Sequence, residues 1–132
     1  MSQEKKNAAN LGFNKQFSDF MKFVQSIFPD DFDITTMINA LSVIQSNSPT
    51  VINEVWYKFI TSKYGAEIDC GDVNFFFDKD YSTDVQNLKQ GAFILEKIND
   101  LRQFVKNMNS ANQQQAMKYI QKLHNLCKLY HS

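Results

Sequence analysis

The sequence predicts an all-α fold, a compact single-domain bundle of five or six helices joined by short loops. Apolar residues recur at spacings of three and four along most of the 132 residues. Helix start and stop signals fall between those stretches, and no stretch alternates as a half-buried strand would. The length suits one domain with a single core.

Residues 1–10, "MSQEKKNAAN", are polar and read as a flexible tail before a helical domain over 11–132. The first helix carries Phe13, Phe17, Phe20, Val24 and Ile27, and Pro29 stops it after Phe28. Asp33 or Thr35 can cap a second helix with the stripe Ile34, Ile38, Leu41 and Ile44. "NSPT" then offers Ser48 as N-cap and Pro49 as first helical residue. The third helix bears Ile52, Val55, Trp56, Phe59 and Ile60 and is expected to end near Gly65. Trp56 lies inside that stripe, which makes it a core anchor. A long helix follows from about Asp84 to Asn107, with a break expected at Gly91 and a stripe of Leu88, Leu95, Ile98, Leu101, Val105 and Met108. Ser110 and Gln113 match a capping box for the last helix. Its expected face is Ala116, Tyr119, Ile120, Leu123, Cys127 and Tyr130.

Between the two halves stands "CGDVNFFFDKDYSTD" (Cys70–Asp84), three adjacent phenylalanines among aspartates. Successive residues of a helix point about 100° apart, so Phe75, Phe76 and Phe77 cannot share one face. One short turn capped by Asp72 lets two rings plug the bundle. The third is either buried beneath the connection, as aromatic-rich small cores favour, or left beside Tyr81 to meet a partner. The second alternative makes Phe75, Phe76, Phe77, Asp78, Asp80 and Tyr81 a candidate contact, an aromatic anchor with an acidic rim.

Composition narrows the function classes. Formal net charge is zero, against a protein whose main partner is nucleic acid held by bulk charge. The apolar runs are too short for a membrane span, and the first residues lack the apolar core of a secretory signal, so no membrane association and no secretion are expected. Two cysteines, Cys70 and Cys127, imply no disulfide framework and a reducing compartment such as the cytoplasm.

Chemistry-bearing patterns are few. Asp78, Asp80 and Ser82 fit the first three positions of a calcium loop, but Thr83 stands where the turn wants Gly and Lys89 where a bidentate Glu is needed. His124, Cys127 and His131 share a flank of the last helix, with Cys70 as a conceivable fourth zinc ligand. Zinc sites ordinarily pair ligands across two elements, so the reading preferred is a buried Cys127 with both histidines at the solvent edge. No metal and no cofactor are expected. No nucleophile elbow, P-loop, dinucleotide fingerprint or zincin motif occurs, and no nucleophile–base–stabiliser set can be named, so an enzyme is not expected.

Charge is unevenly placed. Glu67–Asp84 holds six acids and one lysine, a net of −5, and residues 85–132 hold seven bases and two acids, a net of +5. Lys97, Arg102, Lys106, Lys118 and Lys122 form a candidate basic face on the last two helices. Arginine is scarce, with thirteen lysines to one arginine, so a charge-polarised protein contact is favoured over nucleic acid.

The stretches "FNKQFSDFMKFVQSIFPDD" (Phe13–Asp31), "NEVWYKFI" (Asn53–Ile60), "NFFFDKDYS" (Asn74–Ser82) and "MKYIQKLHNLCKLY" (Met117–Tyr130) carry a likeness. The chain resembles small α-helical proteins of unassigned function from large DNA viruses of algae and protists, and its bias toward Lys, Asn and Phe fits AT-rich coding. The resemblance implies a virion-structural or accessory contact role and assigns no residue a chemical task. The expected function is a non-enzymatic protein–protein interaction module, with a protein partner or self-association, in the virion or the cytoplasm. The alternative is an accessory factor touching nucleic acid or the transcription machinery through the basic C-terminal helices.

Overall fold

A computed structural model describes residues 2–72 and 90–132. These residues form helices and no strand, an all-α arrangement. The helices are α1 (Gln3–Ile27), α2 (Phe32–Asn47), α3 (Val51–Trp56), a π-helical segment (Tyr57–Thr61), α4 (Ser62–Asp69), α5 (Gln90–Lys106) and α6 (Ser110–Tyr130). α3, the π segment and α4 run on as one bent rod, with a non-helical residue, Tyr64, at its kink.

Several boundaries differ from the sequence reading. Of the expected flexible tail over 1–10, residues 3–10 are instead the start of α1. Ser2 Oγ accepts from the Lys5 N–H, Glu4 sits in the first turn where the dipole favours an acid, and Ala9 and Asn10 are buried. Its polar composition hides a run of good helix formers ending in two alanines. α2 is capped by Asp31, whose carboxylate accepts from Asp33 and Ile34 N–H, and not by Asp33 or Thr35. Ser48 closes α2, its N–H donating to Ile44 O at 2.8 Å, and α3 begins only after Thr50, which takes the N-cap position without a side-chain hydrogen bond. Pro49 stays outside α3 because its carbonyl is claimed by two α1 amides, Asn10 Nδ2 at 3.0 Å and Asn14 Nδ2 at 2.8 Å.

Gly65 lies inside α4, and the left-handed turn that ends the rod falls at Gly71, with φ of 76°. The described part of helix α5 begins at Gln90 and includes Gly91; the expected residues 84–89 of that helix lie outside the described residues, and with them the test of an interruption at Gly91. The capping box does not form. Asn109 caps α6 by accepting from Asn112 N–H at 2.8 Å, while the Gln113 side chain donates to the last carbonyls of α5 at Val105 and Lys106.

The stripes converge on one core. α1 and α6 lie antiparallel, with Ala9 near Leu126 at one end and Phe20 and Phe23 against Tyr119 at the other. Trp56 is fully buried, edge-on to Phe13 and Phe17 at 6.2 and 6.3 Å. Ile94, Leu95, Ile98, Leu101 and Val105 of α5 close the core from the far side. A buried amide chain fixes the rod to α1: Asn53 Nδ2 donates to Asn10 Oδ1, and Asn10 donates to Pro49 O. No described helix is long and apolar enough to cross a membrane.

Candidate functional site

The acidic, aromatic candidate contact (Phe75, Phe76, Phe77, Asp78, Asp80 and Tyr81) lies outside the described residues. The candidate basic face does not assemble. Arg102 is only 6% exposed and its Nε donates to Asn99 Oδ1 at 3.0 Å. Lys97 pairs with Asp100 at 3.6 Å. Lys106 stands nine residues from Lys97, two and a half turns, and so lies on the opposite side of α5. Lys106, Lys118 and Lys122 are exposed, and only Lys118 and Lys122 share a helix face.

α6 is the element on which chemistry collects, and its two flanks differ. Toward the π segment and α4 the contacts are polar. His124, expected at the solvent edge, is 2% exposed. The stripe rule missed it because histidine passes for a polar boundary residue. Its Nδ1 lies 3.3 Å from Thr61 Oγ1, the last residue of the π segment. Its Nε2 lies 3.2 Å from Asp69 Oδ1, an ion-pair distance without hydrogen-bond alignment, and Lys128 Nζ stands 3.9 Å from the same carboxylate oxygen. Burial and then the Lys128 charge hold the imidazole below its ordinary pKa, with Asp69 acting in the other direction. Gly65 makes room for this ring: a Cβ there would stand 3.3 Å from His124 Cε1. One turn on, Gln121 Nε2 donates to Ile68 O at 3.0 Å and pins the end of α4.

The order threonine–histidine–aspartate resembles a hydrolytic triad only in connectivity. Thr61 is buried, so its hydroxyl does not reach a solvent-borne substrate. Cys127 is buried beside it, with Sγ 3.6 Å from Asn53 O. Burial pushes that thiol up to about 12, the Thr61 hydrogen bond opposing, so it stays protonated at neutral pH and inert as a nucleophile. His131 is half-buried and stacks on Tyr57 with ring centroids 4.0 Å apart, and burial lowers its pKa too. His124 and Cys127 both reach Thr61 while His131 stacks on Tyr57, and no metal-holding group of three occurs among the described residues.

Toward α1 the flank is dry and, at its end, open. Leu126 fits over Gly12, where a Cβ would lie 3.2 Å from Leu126 Cδ2, and this brings the helices close. Beyond that contact a groove of about 330 Å³ opens between Lys5, Ala8 and Ala9 of α1 and Leu126 and Leu129 of α6. It continues past Leu129 along Asn125, Lys128 and Ser132. Leu129 is 47% exposed and Leu11, one turn from Ala8, is 71% exposed. The sequence offered a faint signal, since Leu126 and Leu129 fall off the expected stripe. Reading residues 1–10 as a tail removed the other wall. A second depression between α2 and α5 is mixed, with Asp33, Thr36, Asp100 and Gln103 beside Met37 and Phe104.

No family model, curated protein or solved structure matches the chain.

Proposed function

We propose that the chain is a non-enzymatic protein–protein interaction module. The observation that carries this reading is the groove between the start of α1 and the end of α6, with an apolar floor on which one large aliphatic side chain, Leu129, is left 47% exposed. Such a surface gains free energy when covered, and its rim sets which partner covers it. The buried, protonated Cys127 and the enclosed Thr61–His124 pair support a scaffold role for the remaining polar chemistry. In keeping with the viral resemblance, the proposed setting is a minor structural or virion-associated protein of a large DNA virus, acting in the virion or in the host cytoplasm.

Cross-linking mass spectrometry on the natively expressed chain tests this. A protein should be captured through Lys5, Lys122 or Lys128, and the exposed-site variant Leu129→Asn should lose it while keeping its helical circular dichroism. A chain that instead binds duplex DNA with affinity falling steeply in salt, and captures no protein at these lysines, is the accessory nucleic-acid factor and not this module.

A further inference from the structure

We infer that the α1/α6 groove binds an amphipathic helix of a partner protein whose apolar stripe is flanked by acidic residues. The inference rests on the interaction reading above and adds the chemistry of the occupant. The floor is apolar, formed by Ala8, Ala9, Leu126 and Leu129, and runs along two antiparallel helices. That shape takes a third helix laid along the seam, its i, i+3 and i+4 anchors packing around Leu129. The rim is basic. Lys5 lines one wall and Lys128 the other end, and the adjoining depression further up α6, which shares Asn125 with the groove, is lined by Lys118 and Lys122. α6 contains no aspartate or glutamate along its whole length, so nothing on its own surface neutralises that face. Acids do stand nearby. Glu4 adjoins Lys5, and Asp69 of α4 holds Lys128 at 3.9 Å, which leaves Lys5, Lys118 and Lys122 as the cations that select an acidic flank. A basic partner helix meets like charge on this rim, and a purely apolar one leaves the lysines unanswered.

The probe is a labelled peptide of about 18 residues, roughly five turns, with leucines at helical spacing and glutamates on both flanks. A scrambled peptide of the same composition and a lysine-flanked counterpart serve as controls. Titrated against the full chain, the acidic helix should bind saturably and the two controls at least tenfold more weakly. Leu129→Asn should weaken it at least tenfold. Lys5→Glu/Lys122→Glu should do the same and should transfer binding to the lysine-flanked peptide, a reversal that misfolding cannot produce. The inference is overturned if the acidic helix fails to bind or binds no better than its scramble. It is also overturned if duplex DNA, anionic phospholipid vesicles or a second copy of the chain occupies the groove in a Leu129-dependent way. Failure of the peptide with cross-linked protein still lost on Leu129→Asn removes only the acidic occupant. Capture that is indifferent to Leu129→Asn removes the interaction reading itself.

Discussion

Toward α1, the last helix is held by rings and aliphatic side chains: Tyr119 stacks on Phe20 at 5.6 Å and meets Phe23 at a tilt at 5.4 Å, and Leu126 covers Gly12. Toward the π segment and α4 it is held by named polar pairs, His124 with Thr61 and Asp69, and Gln121 with Ile68 O. The apolar flank gains its free energy from area, which is non-directional, so its side chains can adjust a little without losing it. The polar flank gains little net free energy per pair, but a displaced pair leaves a buried donor or acceptor without its partner. One helix therefore carries its stability on one side and its register on the other. The apolar side also runs out before the helix does, and the groove opens there.

The largest expected effect comes from the apolar flank. Phe20 has no exposed surface, and Phe20→Ala removes both the Tyr119 stack and core volume. It should cost about 3–5 kcal/mol, a large share of the stability of a small domain. Urea unfolding followed by circular dichroism measures it. A loss below about 1 kcal/mol would mean that α6 does not depend on that side.

The polar flank should show its directional character at Gly65. Alanine there sets a methyl 3.3 Å from a buried ring whose Nδ1 is hydrogen-bonded to Thr61 Oγ1 and whose Nε2 lies 3.2 Å from Asp69 Oδ1, and these neighbours resist its swinging aside. Overpacking costs about 1–3 kcal/mol, and the better helix propensity of alanine returns about 1. The net expected is a loss of about 1 kcal/mol, read as a lowered urea midpoint. Gly65→Ala at unchanged or increased stability would show that the ring is free to move.

The same flank should make stability depend on pH. Folding lowers the His124 pKa from 6.5, so the unfolded chain takes up the proton first. Stability attributable to His124 is then complete above 6.5 and falls as pH drops below that value, down to the pKa of the folded form. His131 is shifted in the same direction and adds to the trend. His124→Gln should reduce the stability difference between about pH 7.5 and about pH 5 without abolishing it. Equal pH dependence in variant and parent would mean that burial of His124 does not restrict its protonation.

How much of this was legible follows from the range of each interaction. Stripes such as Phe13–Phe17–Phe20 and Ile120–Leu123–Cys127 repeat within two turns, and their burial was readable. Caps were not, because asparagine, serine and aspartate crowd every junction and the choice is made elsewhere. Ser48 ends α2 and Thr50 takes the N-cap position of α3, while α1 claims the Pro49 carbonyl between them. The His124 contact joins residues 63 apart, a pairing no local pattern encodes. The groove needs both chain ends side by side. The three adjacent phenylalanines, the most conspicuous local feature of the sequence, fall outside the described residues.

The smallest expected effect decides whether the two flanks truly differ. Gly12 is the apolar counterpart of Gly65: both glycines sit inside helices facing α6, and an added methyl would meet its neighbour at 3.2 and 3.3 Å respectively. Distance alone predicts the same outcome for the two substitutions. The neighbours are different, however. At Gly12 the contact is a terminal methyl of Leu126, half-buried at the edge of the groove and free of polar partners, so a rotamer change removes the overlap. Gly12→Ala then keeps most of the 0.5–1 kcal/mol that alanine gains over glycine within a helix, and stability should be unchanged or raised by up to about 1 kcal/mol. Leu126 lines the groove, so its side chain displaced in that direction narrows it, and the acidic amphipathic peptide should bind the variant severalfold more weakly even though the fold is no less stable. If Gly12→Ala instead loses as much stability as Gly65→Ala, the apolar flank is as rigid as the polar one, and register is fixed on both sides of the helix.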